Sequence, residues 1–283
     1  MDNCRVVIVD DSPFTVDILQ EILEHHGFNV VGTASSLEEV KAVVKTTRPN
    51  LVTMDMSMPD TNGFECTRAV HEIDPTIKVI VISSMKDDEI VDEAVRHRVS
   101  AYIQKPVDEG EVIAVIKGIL SKDELYNSLL EEYLQVFKDS LDDGVTKMAK
   151  STLTFEKEYA WEKEFSSEGI VVIAGIIGKF SGKMFVSMSN QTAEALSAAI
   201  YRRELKGYGD IANILTEFTN IITGSACSKL NQMNREYSLR VAPPSIIIGK
   251  NMQMAPPDFT TYTTIADTEF GKIMLNVGFR RGS

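Results

Sequence analysis

The stretch LVTMDMSMP at residues 51–59 decides the fold, because an apolar run ends there on one acid, Asp55, and Pro59 then stops the strand. Apolar runs of this length are typical of strands that are buried on both faces of a parallel sheet. A carboxylate at the carboxyl end of such a strand lies where open α/β sheets bind their ligands. The pattern therefore predicts that Asp55 is the centre of a functional site.

Similar apolar runs stand on both sides of this stretch and alternate with helical patterns. Strands are predicted at residues 5–9, 30–34, 50–54, 79–83 and 101–104. Helices are predicted between and after them, one ending before Gly27 and others at residues 37–47, 63–73, 87–97 and 108–120. Such short connections require right-handed parallel crossovers, which give a doubly wound α/β sheet of five strands in the order 2-1-3-4-5. The sequence thus predicts a first domain at residues 1–121.

The pattern changes after residue 121. In residues 122–150, apolar side chains recur at every third or fourth position, which predicts one long amphipathic connector helix or two helices broken near Gly144. The remaining residues, 151–283, mix strand and helix patterns. Strands are predicted at residues 153–160, 169–177, 183–189, 245–249, 260–266 and 272–279, and helices at 191–203 and 210–234. Mostly antiparallel strands with grouped helices predict an α+β domain that the connector packs on or begins.

Composition and charge restrict the possible functions. The chain has 283 residues and a formal net charge of −12. Residues 1–122 hold 21 acidic and 12 basic residues, so −9 of this charge lies in the first domain. This excess favours a cation site and argues against nucleic-acid binding. Three scattered cysteines indicate a reducing cytoplasm, and no apolar run approaches the roughly 20 residues of a membrane span.

Five polar side chains follow the predicted strands of the first domain: Asp10, Asp11, Asp55, Ser83 and Lys105. Strands 1 and 3 are neighbours in the predicted order, so the three carboxylates are expected to crowd one crevice. Three adjacent carboxylates need a counter-ion, and an oxygen-rich site of this kind suits Mg²⁺. The pattern therefore predicts a magnesium site with a hydroxyl and an ammonium group beside it.

This set of groups permits phosphoryl transfer to Asp55. Attack by the carboxylate on a phosphoryl donor would give an acyl phosphate, whose oxygens Mg²⁺ and Lys105 would neutralise. Pro106 is expected to follow a cis peptide bond that aims Lys105 inward. Taken singly, each residue has a plain structural explanation, since acids at strand ends are often helix caps. The order of all five favours the phosphoryl-transfer interpretation.

Residues 1–121 resemble the response-regulator receiver domains of the CheY type, which have a flavodoxin-like fold. The resemblance implies a role for each motif position: metal binding by Asp10, Asp11, Asp55 and the backbone carbonyl of Ser57, phosphorylation of Asp55, switching by Ser83 and Tyr102, and phosphate binding by Lys105. For Tyr102 the alternative is an ordinary half-buried strand tyrosine. The family also implies Mg²⁺ (or Mn²⁺) as cofactor and a CheA-like sensor histidine kinase as phosphodonor.

The second domain offers a different polar pair, on the predicted helix 210–234. Glu217 and Asn220 are three residues apart, so they share one face of that helix, with Asn213, Thr216 and Thr223 nearby. From spacing alone, a solvent-facing polar stripe is a better explanation than a site. All four histidines lie in the first domain, so the second domain lacks a histidine base and a histidine zinc site.

Residues 125–280 resemble the CheC/CheX/FliY family of receiver phosphatases, and CheX in particular. The resemblance rests on Gly169–Gly178, Gly182–Ser189, Glu217-x-x-Asn220 and Pro244–Asn251. The family motif is Asp or Ser, three residues, then Glu-x-x-Asn. Here Asn213 stands in the first position, and Phe218 and Thr219 are bulkier than expected between the pair. The resemblance implies one catalytic pair, Glu217 and Asn220, in each chain and a homodimer formed by edge strands of this domain.

The chemistry of the pair is coherent with that resemblance. An amide such as Asn220 can hold a water molecule in line with the phosphorus of an aspartyl phosphate, while Glu217 pairs with the receiver lysine. The substrate is then either Asp55 of this protein or a separate CheY-like receiver. One alternative is a non-catalytic dimerisation or binding module gated by phosphorylation. Another is a phosphatase that the receiver switches toward a separate substrate.

Overall fold

The computed structural model describes residues 4–59, 61–84, 93–94, 96–167, 169–250 and 252–281. The chain divides into two compact units, residues 1–122 and residues 123–283. No helix in the described residues is long and apolar enough to cross a lipid bilayer.

The first unit is built on a five-stranded parallel sheet. Its strands and the two short strands that follow Asp55 are β1 Arg5–Val9, β2 Asn29–Ala34, β3 Leu51–Met54, β4 Ser57–Met58, β5 Thr61–Asn62, β6 Lys78–Ser83 and β7 Ala101–Gln104. The main sheet has the order β2-β1-β3-β6-β7, which confirms the predicted order 2-1-3-4-5. Pairing is parallel throughout this sheet.

Helices cover both faces of this sheet, as expected for an all-parallel sheet. They comprise Pro13–His25, Leu37–Thr47, Gly63–Ile73 and the start of the helix that begins at Glu109. Leu19 and Ile116 belong to the apolar cluster on one face of the sheet, and Val40 and Val70 to the cluster on the other. The helix predicted at residues 87–97 lies largely outside the described residues.

The connector differs from the prediction in one respect. The sequence pattern suggested separate helices at residues 108–120 and 122–150, but a single helix runs from Glu109 to Gly144, about 54 Å at 1.5 Å per residue. A five-residue π-helical turn, Val145–Ala149, follows Gly144, so the predicted break there is a change of helix type. From Leu125 onward the apolar side of the helix belongs to the core of the second unit.

The second unit is an α+β fold with an antiparallel sheet, as predicted. Its strands are β8 Leu153–Phe155, β9 Tyr159–Ala160, β10 Phe165–Ser167, β11 Gly169–Ile177, β12 Gly182–Ser189, β13 Arg240–Val241, β14 Ser245–Ile248, β15 Met252–Met254, β16 Tyr262–Thr268 and β17 Gly271–Phe279. The main sheet has the order β13-β11-β12-β17-β16-β8, with β14 also paired to β11 and β9 to β16. The predicted strand 153–160 is two short strands, because residues 156–158 leave the ladder.

Two helices, Asn190–Tyr201 and Tyr208–Met233, join the connector in one apolar core against this sheet. Phe137 from the connector, Phe218 from the second helix and Leu275 from β17 are all fully buried in it. The helix that carries the Glu-x-x-Asn motif is therefore fixed along one side by close packing, which leaves its other side for a site.

Candidate functional site

Neighbouring strands of the first unit bring the three predicted acids together. β1 pairs with β3, and Asp10 and Asp55 come directly after the two strands. Asp10 is 4% exposed and Asp55 5% exposed, whereas Asp11 is at the surface. One carboxylate oxygen from each of the three lies within 4.8 Å of those of the other two. The structure therefore assembles the carboxylate cluster that the strand ends predicted.

Short hydrogen bonds fix the direction of the two buried acids. Oδ1 of Asp10 accepts a bond from the Ser12 backbone N–H at 2.9 Å, and Oδ1 of Asp55 accepts one from the Ser57 N–H at 3.2 Å. Their Oδ2 atoms both accept a hydrogen bond from Lys105. Ser57, predicted to offer its carbonyl oxygen, thus stays beside Asp55 in the short strand β4.

The helix Gly63–Ile73 passes very close to Asp55, and only glycine permits this. A Cβ atom on Gly63 would lie 2.5 Å from the carbonyl oxygen of Asp55 and 2.9 Å from the Cα of Met56. Real Cβ atoms essentially never come so close to backbone atoms. Sequence reasoning missed this role of Gly63, although the Asn62-Gly63 pair before an apolar helical pattern was the available signal.

Lys105 links the two buried carboxylates. Its Nζ donates to Oδ2 of Asp10 at 2.8 Å and to Oδ2 of Asp55 at 2.9 Å, and its side chain is 21% exposed. Burial alone would lower the pKa of Lys105, but the hydrogen bonds and charges of the two carboxylates outweigh burial and raise it. The peptide bond between Lys105 and Pro106 is cis, as predicted.

The donor set of this cluster fits a hard divalent cation. All three ligand groups are carboxylates, and oxygen is the donor that Mg²⁺ and Mn²⁺ prefer. The Lys105 ammonium compensates one of the three negative charges, so two remain for a dication to balance. Asp11 lies at the surface, so this side of the cluster is open to water.

The two predicted switch residues lie on adjacent strands. Ser83 ends β6 and is fully buried, while Tyr102 lies in the paired strand β7 and is half-buried. The Tyr102 hydroxyl donates a hydrogen bond to the backbone carbonyl of Ser83 at 3.4 Å. The structure therefore links the Tyr102 hydroxyl to the backbone of Ser83, which spacing in the sequence did not predict.

In the second unit, the Glu-x-x-Asn pair lies on the outer face of the helix Tyr208–Met233. Asn213 and Glu217 are exposed and Asn220 is half-exposed. None of these three side chains makes a hydrogen bond or an ion pair with any residue that the structure describes. Their polar groups are thus available to a partner or to water.

The two bulky residues inside the motif do not obstruct this face. Phe218 is fully buried and Thr219 is 1% exposed, because the helical period turns both toward the core. Phe218 packs near Gly144, where an added Cβ would lie 3.3 Å from its ring. The unexpected size of these residues therefore concerns packing and not access to Glu217 and Asn220.

Comparisons with known families and proteins agree with these two units. The family model for the response regulator receiver domain matches residues 6–117, and the model for the chemotaxis phosphatase CheX matches residues 170–266. Protein CcdB of Bacillus subtilis is 35% identical over 116 residues, which are 41% of this chain and 97% of that protein. The chemotaxis protein CheY of Thermotoga maritima is 34% identical over 115 residues, 41% of this chain and 96% of that protein.

Two solved structures show likeness to one or the other unit. A CheX protein from Desulfovibrio desulfuricans is 20% identical with a TM-score of 0.49, covering 53% of this chain and 99% of that one. A crystal structure of a CheX-CheY-BeF3-Mg²⁺ complex from Borrelia burgdorferi contains a chain 32% identical with a TM-score of 0.40. That match covers 41% of this chain and 89% of that one.

Proposed function

Because this chain belongs to the response-regulator receiver family and carries a CheX domain behind its receiver, we propose a two-part function. The chain is a chemotaxis response regulator that is phosphorylated on Asp55, and its CheX domain hydrolyses the aspartyl phosphate of a receiver. The observation that carries this proposal is the pair Glu217 and Asn220, exposed and half-exposed on a firmly packed helix, with no side-chain partner among the residues that the structure describes. The proposed domains are residues 1–121, the connector 122–150 and residues 151–283.

In the receiver, a carboxylate oxygen of Asp55 attacks the phosphorus of a phosphodonor, for which we propose a CheA-like sensor histidine kinase. The bond between phosphorus and the donor breaks, and an acyl phosphate forms. Lys105 neutralises the phosphoryl oxygens, and Ser83 donates a hydrogen bond to one of them. As Ser83 moves toward the phosphate, Tyr102 turns inward. The Tyr102 hydroxyl is already hydrogen bonded to the backbone carbonyl of Ser83. This is the switch we propose.

We propose that Asp10, Asp11, Asp55 and the backbone carbonyl of Ser57 hold Mg²⁺ (or Mn²⁺). When bound, such a cation balances charge on the phosphoryl oxygens. The oxygen donors and the two uncompensated negative charges of the cluster support this assignment. Magnesium-dependent phosphorylation of Asp55, lost in Asp11→Asn, is the expected result.

Hydrolysis requires a water molecule positioned in line with the bond between phosphorus and Asp55. The Asn220 carboxamide can accept from and donate to that water, and Glu217 can pair with the lysine of the docked receiver. The new bond joins the water oxygen to phosphorus, the bond to the aspartyl oxygen breaks, and the carboxylate of Asp55 is restored. Orientation alone can contribute several kcal/mol to such a step.

One observation favours a second candidate function. Asn213 stands where the family motif has Asp or Ser, which favours a domain that has kept the fold and become a phosphorylation-gated dimerisation or binding module. In a further version, the receiver regulates a phosphatase whose substrate is a separate CheY-like protein. We also propose a homodimer through the CheX domain. A cytoplasmic location is supported by the three buried cysteines, none of which forms a disulfide.

The rate of phosphate loss tests these alternatives. The full-length protein, or a free CheY-like receiver mixed with it, is phosphorylated with a small acyl-phosphate donor and Mg²⁺, and the donor is then removed. We expect Glu217→Ala and Asn220→Ala to slow the loss on the order of 10²-fold. Glu194→Ala, an exposed glutamate on the neighbouring helix, is the matched control and should change nothing.

The pattern of decay rates identifies the substrate. If only the free receiver is stabilised by the two substitutions, the substrate is a separate protein, and Asp55→Asn then tests regulation by the receiver. A decay of the protein's own phosphate that is independent of protein concentration indicates a site within one chain or one stable dimer. Unchanged rates in every arm would leave the non-catalytic module as the function.

A further inference from the structure

A groove extends along the helix from the Glu-x-x-Asn pair. Gly224, Cys227 and Asn231 follow Asn220 at the helical period, so they lie on the same face of the helix. Together with Ser228, Gln232, Arg235 and Leu239–Val241 they line a cavity of about 530 Å³. Its near end lies about 6 Å and its middle about 10 Å from Asn220 along the helix axis, at 1.5 Å per residue.

The groove combines an apolar floor, neutral polar residues and a basic rim. Gly224, Cys227, Leu239 and Val241 contribute the floor, and an added Cβ on Gly224 would meet no atom within 4 Å. The neutral polar lining residues are Ser228, Asn231 and Gln232. Arg235 and Arg240 stand at the rim, and both are exposed. Neither guanidinium group makes an ion pair with a carboxylate among the residues that the structure describes. The groove thus offers space for an apolar side chain and two uncompensated positive charges.

The receiver carries features that match this groove. Phe14 is 73% exposed at the start of the helix Pro13–His25, three residues after Asp11. Its Cα therefore lies at most about 11 Å from that of Asp11, whose carboxylate is part of the acid cluster. The receiver as a whole, residues 1–122, has 21 acidic and 12 basic residues and hence a formal charge of −9.

The two distances agree with one docked arrangement. A receiver that brings Asp55 to Asn220 places Phe14 on the order of 10 Å from the reaction centre. The floor of the groove lies 6–10 Å, roughly, from Asn220. Both features fall inside one ordinary interface of about 800 Å² per partner. The net negative charge of the receiver then attracts Arg235 and Arg240, which steers the encounter.

We propose that this groove is the docking site for the receiver of a second copy of this protein, with the Phe14 ring seated on the apolar floor. This inference rests on the proposed function, because it is Asn220 at Asp55 that sets the position of Phe14. The groove selects the partner, and the polar pair performs the reaction. Exposed Ile221, next to Asn220, extends the apolar contact at the centre of this interface.

Binding between two full-length copies tests the docking site without requiring hydrolysis. One copy carries Asp55→Asn and Asn220→Ala and is immobilised; the other carries Asn220→Ala and is phosphorylated on Asp55. We expect Phe14→Ala in the second copy, and Arg235→Glu with Arg240→Glu in the first, each to weaken binding about tenfold, a 1.4 kcal/mol effect. Phe14→Leu should retain most of the affinity, and Lys163→Glu, an exposed lysine on a distant loop, should have no effect.

Filling the groove supplies the specific test. Gly224→Phe in the immobilised copy should lower its affinity for the phosphorylated copy that has Phe14. It should change the affinity little when the phosphorylated copy carries Phe14→Ala, because both substitutions remove the same contact. Additive losses, unchanged affinity in every variant, or no association between copies would each overturn the docking site. If the binding results are as expected but Asn220→Ala does not slow hydrolysis, the docking site is supported and the proposed hydrolysis is refuted.

Discussion

The close approach of Gly63 to Asp55 gives the sharpest test of the receiver site. In Gly63→Ala, the new methyl group would lie 2.5 Å from the Asp55 carbonyl oxygen, whereas ordinary contacts begin at 3.4 Å. The backbone of Asp55 or the start of the helix must therefore move by about 0.9 Å, the difference between those two distances. Overpacking of this kind costs about 1–3 kcal/mol of folding free energy.

The displacement acts on the residue that we propose forms the acyl phosphate, Asp55. A shift of roughly 1 Å in a reacting group lowers a rate by about 10²-fold, so phosphorylation of Gly63→Ala by a small acyl-phosphate donor should slow by one to two orders of magnitude. The measurement is the initial rate of phosphoprotein formation, with urea unfolding followed in parallel. The expected loss of rate exceeds what partial unfolding alone would produce, because a marginally destabilised receiver remains mostly folded.

Gly118→Ala is the matched control for this change. Gly118 lies in the connector helix, and an added Cβ there meets no atom within 4 Å. That substitution should stabilise the protein by about 0.5–1 kcal/mol and leave phosphorylation unchanged. The reasoning is refuted if Gly63→Ala unfolds at the same urea concentration as the wild type and is phosphorylated at the same rate.

Two further predictions concern stability. Leu129→Ala in the connector should lower the free energy of unfolding, measured in urea, by about 2–5 kcal/mol, because Leu129 is fully buried in the second unit. The adjacent Leu130 is 40% exposed, so Leu130→Ala should lower it by about 0.5 kcal/mol or less. Equal effects would mean that the connector is not part of that core. Burial lowers the pKa of His71 below its ordinary 6.5, so the unfolded chain binds the proton more readily. The stability that neutral His71 contributes is therefore fully present above pH 6.5 and is lost as the pH falls below it. We expect His71→Gln to reduce the difference in Tm between pH 7.5 and pH 5.5. The same difference in the wild type and the variant would contradict this.

The receiver was predictable because its chemistry recurs at strand ends. Asp10, Asp55, Ser83 and Lys105 each follow an apolar run, and the order of a doubly wound sheet determines which runs are neighbours. The link between Tyr102 and the Ser83 carbonyl was not predictable, since it depends on the side-chain direction across two paired strands. The Gly63 contact depends likewise on tertiary packing.

The connector shows why one helix can look like two. Val112 and Ile116 face the core of the first unit, and Leu125 and Leu129 face that of the second. The apolar stripe therefore changes direction near residue 121, and sequence patterns register such a change as a boundary. Gly118 and Ser121 are weak helix breakers, and the Ser121 hydroxyl simply donates to the Gly118 carbonyl one turn earlier.

The Glu-x-x-Asn helix has a core-forming side and a polar side, and this separation has an evolutionary consequence. Phe218 and Thr219 are buried in the core of the domain, while Glu217 and Asn220, on either side of them in the sequence, are exposed and half-exposed. Selection for a folded protein therefore acts on Phe218 and Thr219 but not on Glu217 and Asn220. If this pair performs the proposed hydrolysis, a single substitution can remove the activity and leave the fold intact, so the fold and the activity can be inherited separately.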